Sequence, residues 1–251
     1  MKTVVIIPAR LGSSRLPNKV ILDICGKPMI QHVYEASKKA KNIADVYIAT
    51  DSKEVEDICK TFTSNIIMTS KKHQSGTDRL AQAVQNIECD NIINVQGDEP
   101  LIDPNLISQL ADAFEDDIPM VSAMHTIETT KELKSPNAVK VTVNNNNEAL
   151  YFSRSIIPHH RDEWESLLKH HTTIPKPLKF FKHIGIYGYT KEFLTHYASM
   201  PQTYLEKLEK LEQLRVLENG YKIKMIETSY IPVGVDVQED LEQVREIIKC
   251  Q

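Results

Sequence analysis

Residues 4–19 read VVIIPARLGSSRLPNK, and the fold class follows from what this stretch does. Residues 4–8 are an apolar run of strand length, bounded by Pro8 and rich in β-branched side chains. The run empties into a polar loop that carries Arg10, Arg15 and Lys19. Downstream, residues 29–40 have the spacing of an amphipathic helix and residues 46–50 are a second buried strand, so the chain opens as strand, loop, helix, strand. The alternation continues with a helix over 52–62, a strand over 66–68, a helix over 77–87 and a strand over 92–95. Alternation of this kind implies α/β architecture: parallel strands, right-handed crossovers and helices on both faces. Ligands of such open sheets gather at the carboxyl ends of the strands, where the basic loop, Asp51 and Asp98 all lie.

Beyond about residue 118 the alternation gives way to strand-like runs at 120–125, 138–143 and 150–152, so the sheet is expected to become mixed. Residues 158–177 hold four histidines and little periodicity, and are expected to form a mobile loop or a subunit contact. A strand follows over 180–189. Residues 204–218 read as one helix whose Leu205, Leu208, Leu211, Leu214 and Leu217 form a buried stripe, stopped by Asn219-Gly220. A strand over 222–227 and a helix over 237–248 close the chain. The reading is a single domain spanning 1–251, with a lobe inserted roughly over 125–200.

The 251 residues are 41% hydrophobic and 25% charged, enough for a sizeable core and too apolar for disorder. A net charge of −4 gives no reason to expect nucleic acid or an anionic membrane as partner, which points to a small substrate. No run of about 18 apolar residues occurs, and the N-terminus lacks the pattern of a signal peptide, so a cytoplasmic protein is expected. Cys25, Cys59, Cys89 and Cys250 are scattered and suggest neither a zinc site nor a disulfide framework. His159-His160 and His170-His171 lack partners at ligand spacing.

Chemistry concentrates in a few places. The loop after the first strand is neither a Gly-Lys-Ser/Thr phosphate loop nor a Gly-x-Gly-x-x-Gly turn, yet it offers N–H groups, hydroxyls and three cations together. Its composition alone suits a solvated surface connection equally well; its place at a strand's carboxyl end favours a phosphate site. Asp98, in Gln96-Gly97-Asp98-Glu99-Pro100, and Asp236 are candidate ligands for a hard cation, which takes one or two carboxylates alongside phosphate oxygens. Asp236-Val237-Gln238-Glu239 also has the spacing of a capping box, the reading that spacing alone favours. Asp51-Ser52-Lys53-Glu54 has the same spacing and Asp103 precedes Pro104, so Asp51 and Asp103 are expected to be helix caps.

Nine stretches, in order and over nearly the whole chain, resemble the 3-deoxy-manno-octulosonate cytidylyltransferases: IIPAR with SSRLPNK, GKPMIQHV, HQSGTDRL, NVQGDEPLI, PNAVKV, YFSRSIIP, HIGIYGY, LEKLEQLRVLENG and GVDVQEDLEQV. The resemblance implies a nucleotide-diphospho-sugar-transferase fold, Rossmann-like and three-layered, with a mostly parallel mixed sheet and a small inserted lobe. It implies Mg2+ dependence, a homodimer, and transfer of CMP from CTP to the sugar acid for lipopolysaccharide synthesis. Catalytic roles fall by resemblance on Lys19, Arg10 and Asp98. Pro8, Ala9, Ser14, Arg15, Gln74, Ser75, Gly76 and Arg79 are implied around the nucleotide, and Asp98 with Asp236 around the metal. Gln96, Arg154, His183, Tyr187, Glu212 and Gln213 are implied around the sugar. Composition alone would make Tyr187 a packing residue, His183 an edge histidine, and Glu212 and Gln213 ordinary polar positions on a helix. The alternatives are a cytidylyltransferase for another acidic sugar (an 8-amino relative or a nonulosonate), a non-catalytic nucleotide-binding regulator, and an inert homo-oligomeric scaffold.

Overall fold

In the strand Thr3–Ala9, Val4 to Ile7 are fully buried, because it runs between two neighbours and has no polar face to show water. The computed structural model describes residues 1–13, 15–73 and 76–249. The chain forms two units, one of Met1–Asp112, Ile186–Ala198 and Ile231–Gln251, the other of Ala113–Gly185 and Ser199–Tyr230.

In the first unit Thr3–Ala9 lies parallel to Asn91–Asn94 on one side and to Asp45–Thr50 on the other, with Ile66–Met68 parallel beyond. The crossovers include the helices Met29–Lys38, Lys53–Cys59 and Gly76–Ala83, as the alternation predicts. The end of the strand Phe181–Thr190 runs antiparallel beside Asn91–Asn94, making this sheet mixed. The helix Pro104–Asp112 begins where Asp103 Oδ1 accepts from the Asn105 N–H at 2.9 Å, as expected of a cap. The closing helix Gln238–Lys249 buries Leu241 and Val244 against Leu16, Ile24, Met29 and Val235, which anchors the chain's last segment beside the first loop.

In the second unit Ile223–Glu227 runs parallel to Met120–Thr126, while Lys140–Val143 lies antiparallel to Ala149–Ser153 and to the start of Phe181–Thr190. The 158–177 segment is not a structureless loop. It contains the helix Trp164–His170, whose Leu167 is buried with Ile127, Leu133 and Phe180. Backbone bonds tie it down, Thr130 N–H to Thr172 O at 3.0 Å and Ile174 N–H to Glu128 O at 2.8 Å. Its apolar residues are too few to show a period, but they complete a core whose other half lies elsewhere in the sequence.

The single helix expected over 204–218 is two, Tyr204–Glu209 and Leu214–Glu218, broken at Lys210 in the left-handed region. The leucine stripe does not form: Leu208 is 66% exposed, whereas Glu206 and Arg215 are buried. A repeat of three residues rotates about 60° per step against a helix turn, so five such positions cannot share one face. Instead the Arg215 guanidinium donates to Glu206 from Nε at 2.8 Å and from Nη2 at 2.5 Å, joining the two helices through a buried ion pair. The expected stop does form. Gly220 has φ 79°, its N–H donates to Leu217 O, and the Tyr221 N–H donates to Val216 O. Among the described residues no helix is long and apolar enough to cross a membrane.

Candidate active site

The carboxyl ends of Thr3–Ala9 and Asn91–Asn94 open into a cavity of about 610 Å³ in the first unit. Its walls include Pro8, Ala9, Arg10, Arg15 and Lys19 from the first strand and loop, Gly76 and Arg79 from a helix start, and Gln96, Gly97 and Asp98. Asp236 completes it from the chain's last segment. Gly97 is required by packing, since a Cβ there would stand 2.9 Å from the Pro8 carbonyl oxygen. The close approach lets the loop carrying Asp98 lie against the first strand.

One backbone bond joins distant parts of the sequence. The Val235 N–H donates to Asp98 O at 2.9 Å, bringing Asp236 beside Asp98 across more than a hundred residues. Lys19 Nζ then donates to both carboxylates, to Asp98 Oδ2 and, at 3.0 Å, to Asp236 Oδ1, as well as to Val235 O at 3.1 Å. Arg15 Nη2 reaches Asp236 Oδ2 at 2.9 Å. Burial alone would lower the Lys19 pKa, but the hydrogen bonds and charges of Asp98 and Asp236 outweigh it and hold the ammonium above its usual value. Burial likewise opposes the Asp236 charge, yet Lys19 and Arg15 hold this carboxyl below the ordinary range. Next to them, burial and the charge of Asp98 push the Glu99 carboxyl up to about 7.

Asp236 is therefore not the cap its spacing suggests. The N–H groups of Asp236 and Val237 donate instead to Asp240 Oδ2, at 2.9 and 3.1 Å, which leaves the Asp236 carboxylate for the cavity. Asp51 is not a cap either. Ser52 Oγ accepts from the Val55 N–H, and Asp51 Oδ2 accepts from Arg79 Nη2 at 2.6 Å. Two carboxylates whose oxygens converge on one cation form a hard, anionic donor set. That set fits a divalent ion completed by phosphate oxygens and water.

The family model described as "Cytidylyltransferase" matches residues 4–224. A 3-deoxy-manno-octulosonate cytidylyltransferase of Trichlorobacter lovleyi is 46% identical over 99% of both chains, and one of Geotalea uraniireducens is 47% identical over 99% of this chain and all of its own. A solved structure of CMP:2-keto-3-deoxy-manno-octonic acid synthetase complexed with CTP superposes with a TM-score of 0.90 at 41% identity, over 100% of this chain and 99% of the other. This chain belongs to the 3-deoxy-manno-octulosonate cytidylyltransferases.

Of the site residues that resemblance to this cytidylyltransferase family implies, Pro8, Ala9, Arg10, Arg15, Lys19, Gly76, Arg79, Gln96, Asp98 and Asp236 share the one cavity. Ser14, Gln74 and Ser75 lie outside the described residues. Tyr187 belongs to the first unit, on the strand that pairs it with Asn94. Arg154, His183, Glu212 and Gln213 belong to the second. There, Gln213 Nε2 lies 3.4 Å from His183 Nδ1, and Ser122 Oγ lies 2.9 Å from His183 Nε2. Ser122 Oγ in turn donates to Ile184 O at 3.3 Å. Burial drives the His183 pKa down to about 3, keeping the ring neutral. Arg154 finds the partners that a charge after a buried strand needs, donating from Nε to Glu209 O at 2.8 Å and from Nη1 to Pro136 O at 3.1 Å. Sequence reasoning missed His73, which lines the cavity, and Asp51, which holds Arg79. The place of Asp51 past a strand end was a usable signal, overridden by its capping-box spacing.

Proposed function

We propose that this chain transfers CMP from CTP to the anomeric hydroxyl of 3-deoxy-manno-octulosonate, releasing pyrophosphate. The observation that carries the reading is the convergence of Lys19, Arg15, Asp98 and Asp236 at the strand ends of a chain 46% identical to named enzymes of this activity. The hydroxyl attacks the α-phosphate in line and pyrophosphate leaves opposite, so the protein needs no covalent intermediate. It must hold both reactants and offset charge developing on the phosphate oxygens. Arg10, Arg15 and Lys19 supply the cations, with Lys19 assigned to the α-phosphate. Asp98 and Asp236 would hold Mg2+, which when bound supplies Lewis-acid stabilisation of the phosphate oxygens.

Lys19 links the two halves of this chemistry. In the structure its ammonium directs its three N–H donors to Asp98, Asp236 and Val235 O, so engaging the α-phosphate requires it to release at least one of these three acceptors. The residues that the family resemblance implies for the sugar acid are Gln96 and Tyr187, in the first unit, and Arg154, His183, Glu212 and Gln213, in the second. A fixed neutral imidazole and an amide suit hydroxyl groups, and a guanidinium suits a carboxylate.

The test is Mg2+-dependent pyrophosphate release with CTP, UTP or ATP in the presence of the octulosonate. Release with CTP is expected, and its absence removes the proposal. Separate arms with the 8-amino sugar and with a nonulosonate define which acid the site takes.

A further inference from the structure

We propose that Asp51 is a positioning residue for nucleotide selection, holding the Arg79 guanidinium so that it reads the base. The inference deepens the nucleotide reading above and rests on it. Two charge networks reach the cavity's lining among the described residues, the second through Arg79 alone. One joins Lys19 and Arg15 to Asp98 and Asp236. The other joins Arg79 to Asp51 and Thr69, on the strands Asp45–Thr50 and Ile66–Met68 or just past their ends.

Topology brings this second set together. Thr50 is in register with Ala9 on one side and Met68 on the other, so the residues that follow, Asp51 and Thr69, leave neighbouring strand ends and both meet Arg79, which lines the cavity. Arg79 comes from the helix Gly76–Ala83 and is only 4% exposed. Its Nη2 donates to Asp51 Oδ2 at 2.6 Å and its Nη1 to Thr69 Oγ1. The Thr69 hydroxyl proton is itself given to Thr50 O at 3.1 Å, so Thr69 must accept from Arg79 and the network has one direction. The guanidinium is fixed on two edges and its charge is offset by a carboxylate whose side chain is only 19% exposed.

A buried cation already neutralised adds little net charge for a phosphate, but it presents N–H donors in a fixed fork. With the triphosphate engaged by the first network, the Arg79 fork falls to the base. Cytosine offers the acceptors N3 and O2 side by side, whereas uracil carries a hydrogen on N3 that would face a donor. A group that can only donate therefore separates the two bases, and Asp51 makes that separation sharp by preventing the fork from turning away.

The experiment is isothermal titration of CTP and of UTP into wild type, Asp51→Ala, Asp51→Asn and Asp51→Glu, without the sugar. Binding is read apart from turnover, so this result stands whether or not the octulosonate is the acceptor. Wild type is expected to prefer CTP. Asp51→Ala should lose at least about tenfold of CTP affinity with UTP little changed, because the freed guanidinium no longer discriminates. Asp51→Asn keeps an acceptor oxygen and should retain the preference. Asp51→Glu keeps the charge but shifts the fork by one methylene, and should lose the preference; it decides the matter if Asp51→Ala does not fold. Equal loss for both nucleotides in folded Asp51→Ala, an unchanged CTP-to-UTP ratio in folded Asp51→Ala or Asp51→Glu, or a wild type without preference overturns the proposal.

Discussion

Replacing Gly97 with alanine tests the cavity's wall through one added methyl group. The new Cβ would stand 2.9 Å from Pro8 O, 3.4 Å from Ile30 Cδ1 and 3.5 Å from Val20 Cγ1. The two carbon contacts are close to ordinary packing distance; the contact with the carbonyl oxygen is not. Pro8 cannot retreat easily, because its strand is laddered on both sides, with Pro8 in register with Ala49 and Ile6 with both Tyr47 and Asn94. The Asp98 loop must move instead. Overpacking of this kind costs about 1–3 kcal/mol, and for a chain of this size about 2 kcal/mol lowers Tm by about 4–8 °C. Displacing Asp98 relative to Ala9 and Lys19 by a fraction of an ångström should also reduce kcat/KM by about tenfold, since catalysis depends on positioning. Calorimetry and steady-state pyrophosphate release measure both. A variant within about 1 °C of wild type with unchanged kcat/KM would show that the loop does not rest on the strand as described.

Lys19→Ala should lower kcat by about 10²–10³ with little change in the KM for CTP, as loss of a transition-state contact does; a raised KM with intact kcat refutes the assignment. Arg215→Met leaves Glu206 buried without its cation and should destabilise by about 3–5 kcal/mol in denaturant titration, while the double variant with Glu206→Leu should recover part of the loss. His183 is neutral when folded down to pH about 3 but takes up a proton near 6.5 when unfolded, so the unfolded state binds more protons between these values and acid destabilises the fold. Stability should fall by up to about 1.4 kcal/mol per pH unit below about 6.5 through this group, and His183→Gln should show a shallower loss; equal slopes for the two proteins would refute the buried neutral state.

The first unit was the more legible because its signals are local. A buried parallel strand shows itself as a short β-branched run, and each crossover helix carries its own apolar period, so the parallel strands and crossover helices of 4–95 are legible in the sequence, whereas the short hairpin of Asp23–Ile24 and Lys27–Pro28 is not. The second unit was less legible because its helices are short and complete one another's core. Trp164–His170 is recognisable only once Leu167 meets Ile127, Leu133 and Phe180. The leucines of 204–218 misled for a related reason: spacing was read as one face, but the buried Glu206–Arg215 pair fixes a break that no local propensity announces.

What the sequence determined by itself is the α/β class, the basic loop past the first strand, Asp98 past a buried strand, and membership of a cytidylyltransferase family through motifs in order. Tertiary structure decided what capping-box spacing misread in the acids, although the family resemblance by itself implies Asp236 around the metal. Asp51 and Asp236 both stand at capping-box spacing, and each is instead bonded to a cation far away in the chain, Arg79 and Lys19 respectively. A cap is a contact between neighbours in sequence, whereas an ion pair across a sheet's carboxyl edge depends on which strand ends the topology sets side by side. That juxtaposition exists only after the chain has folded.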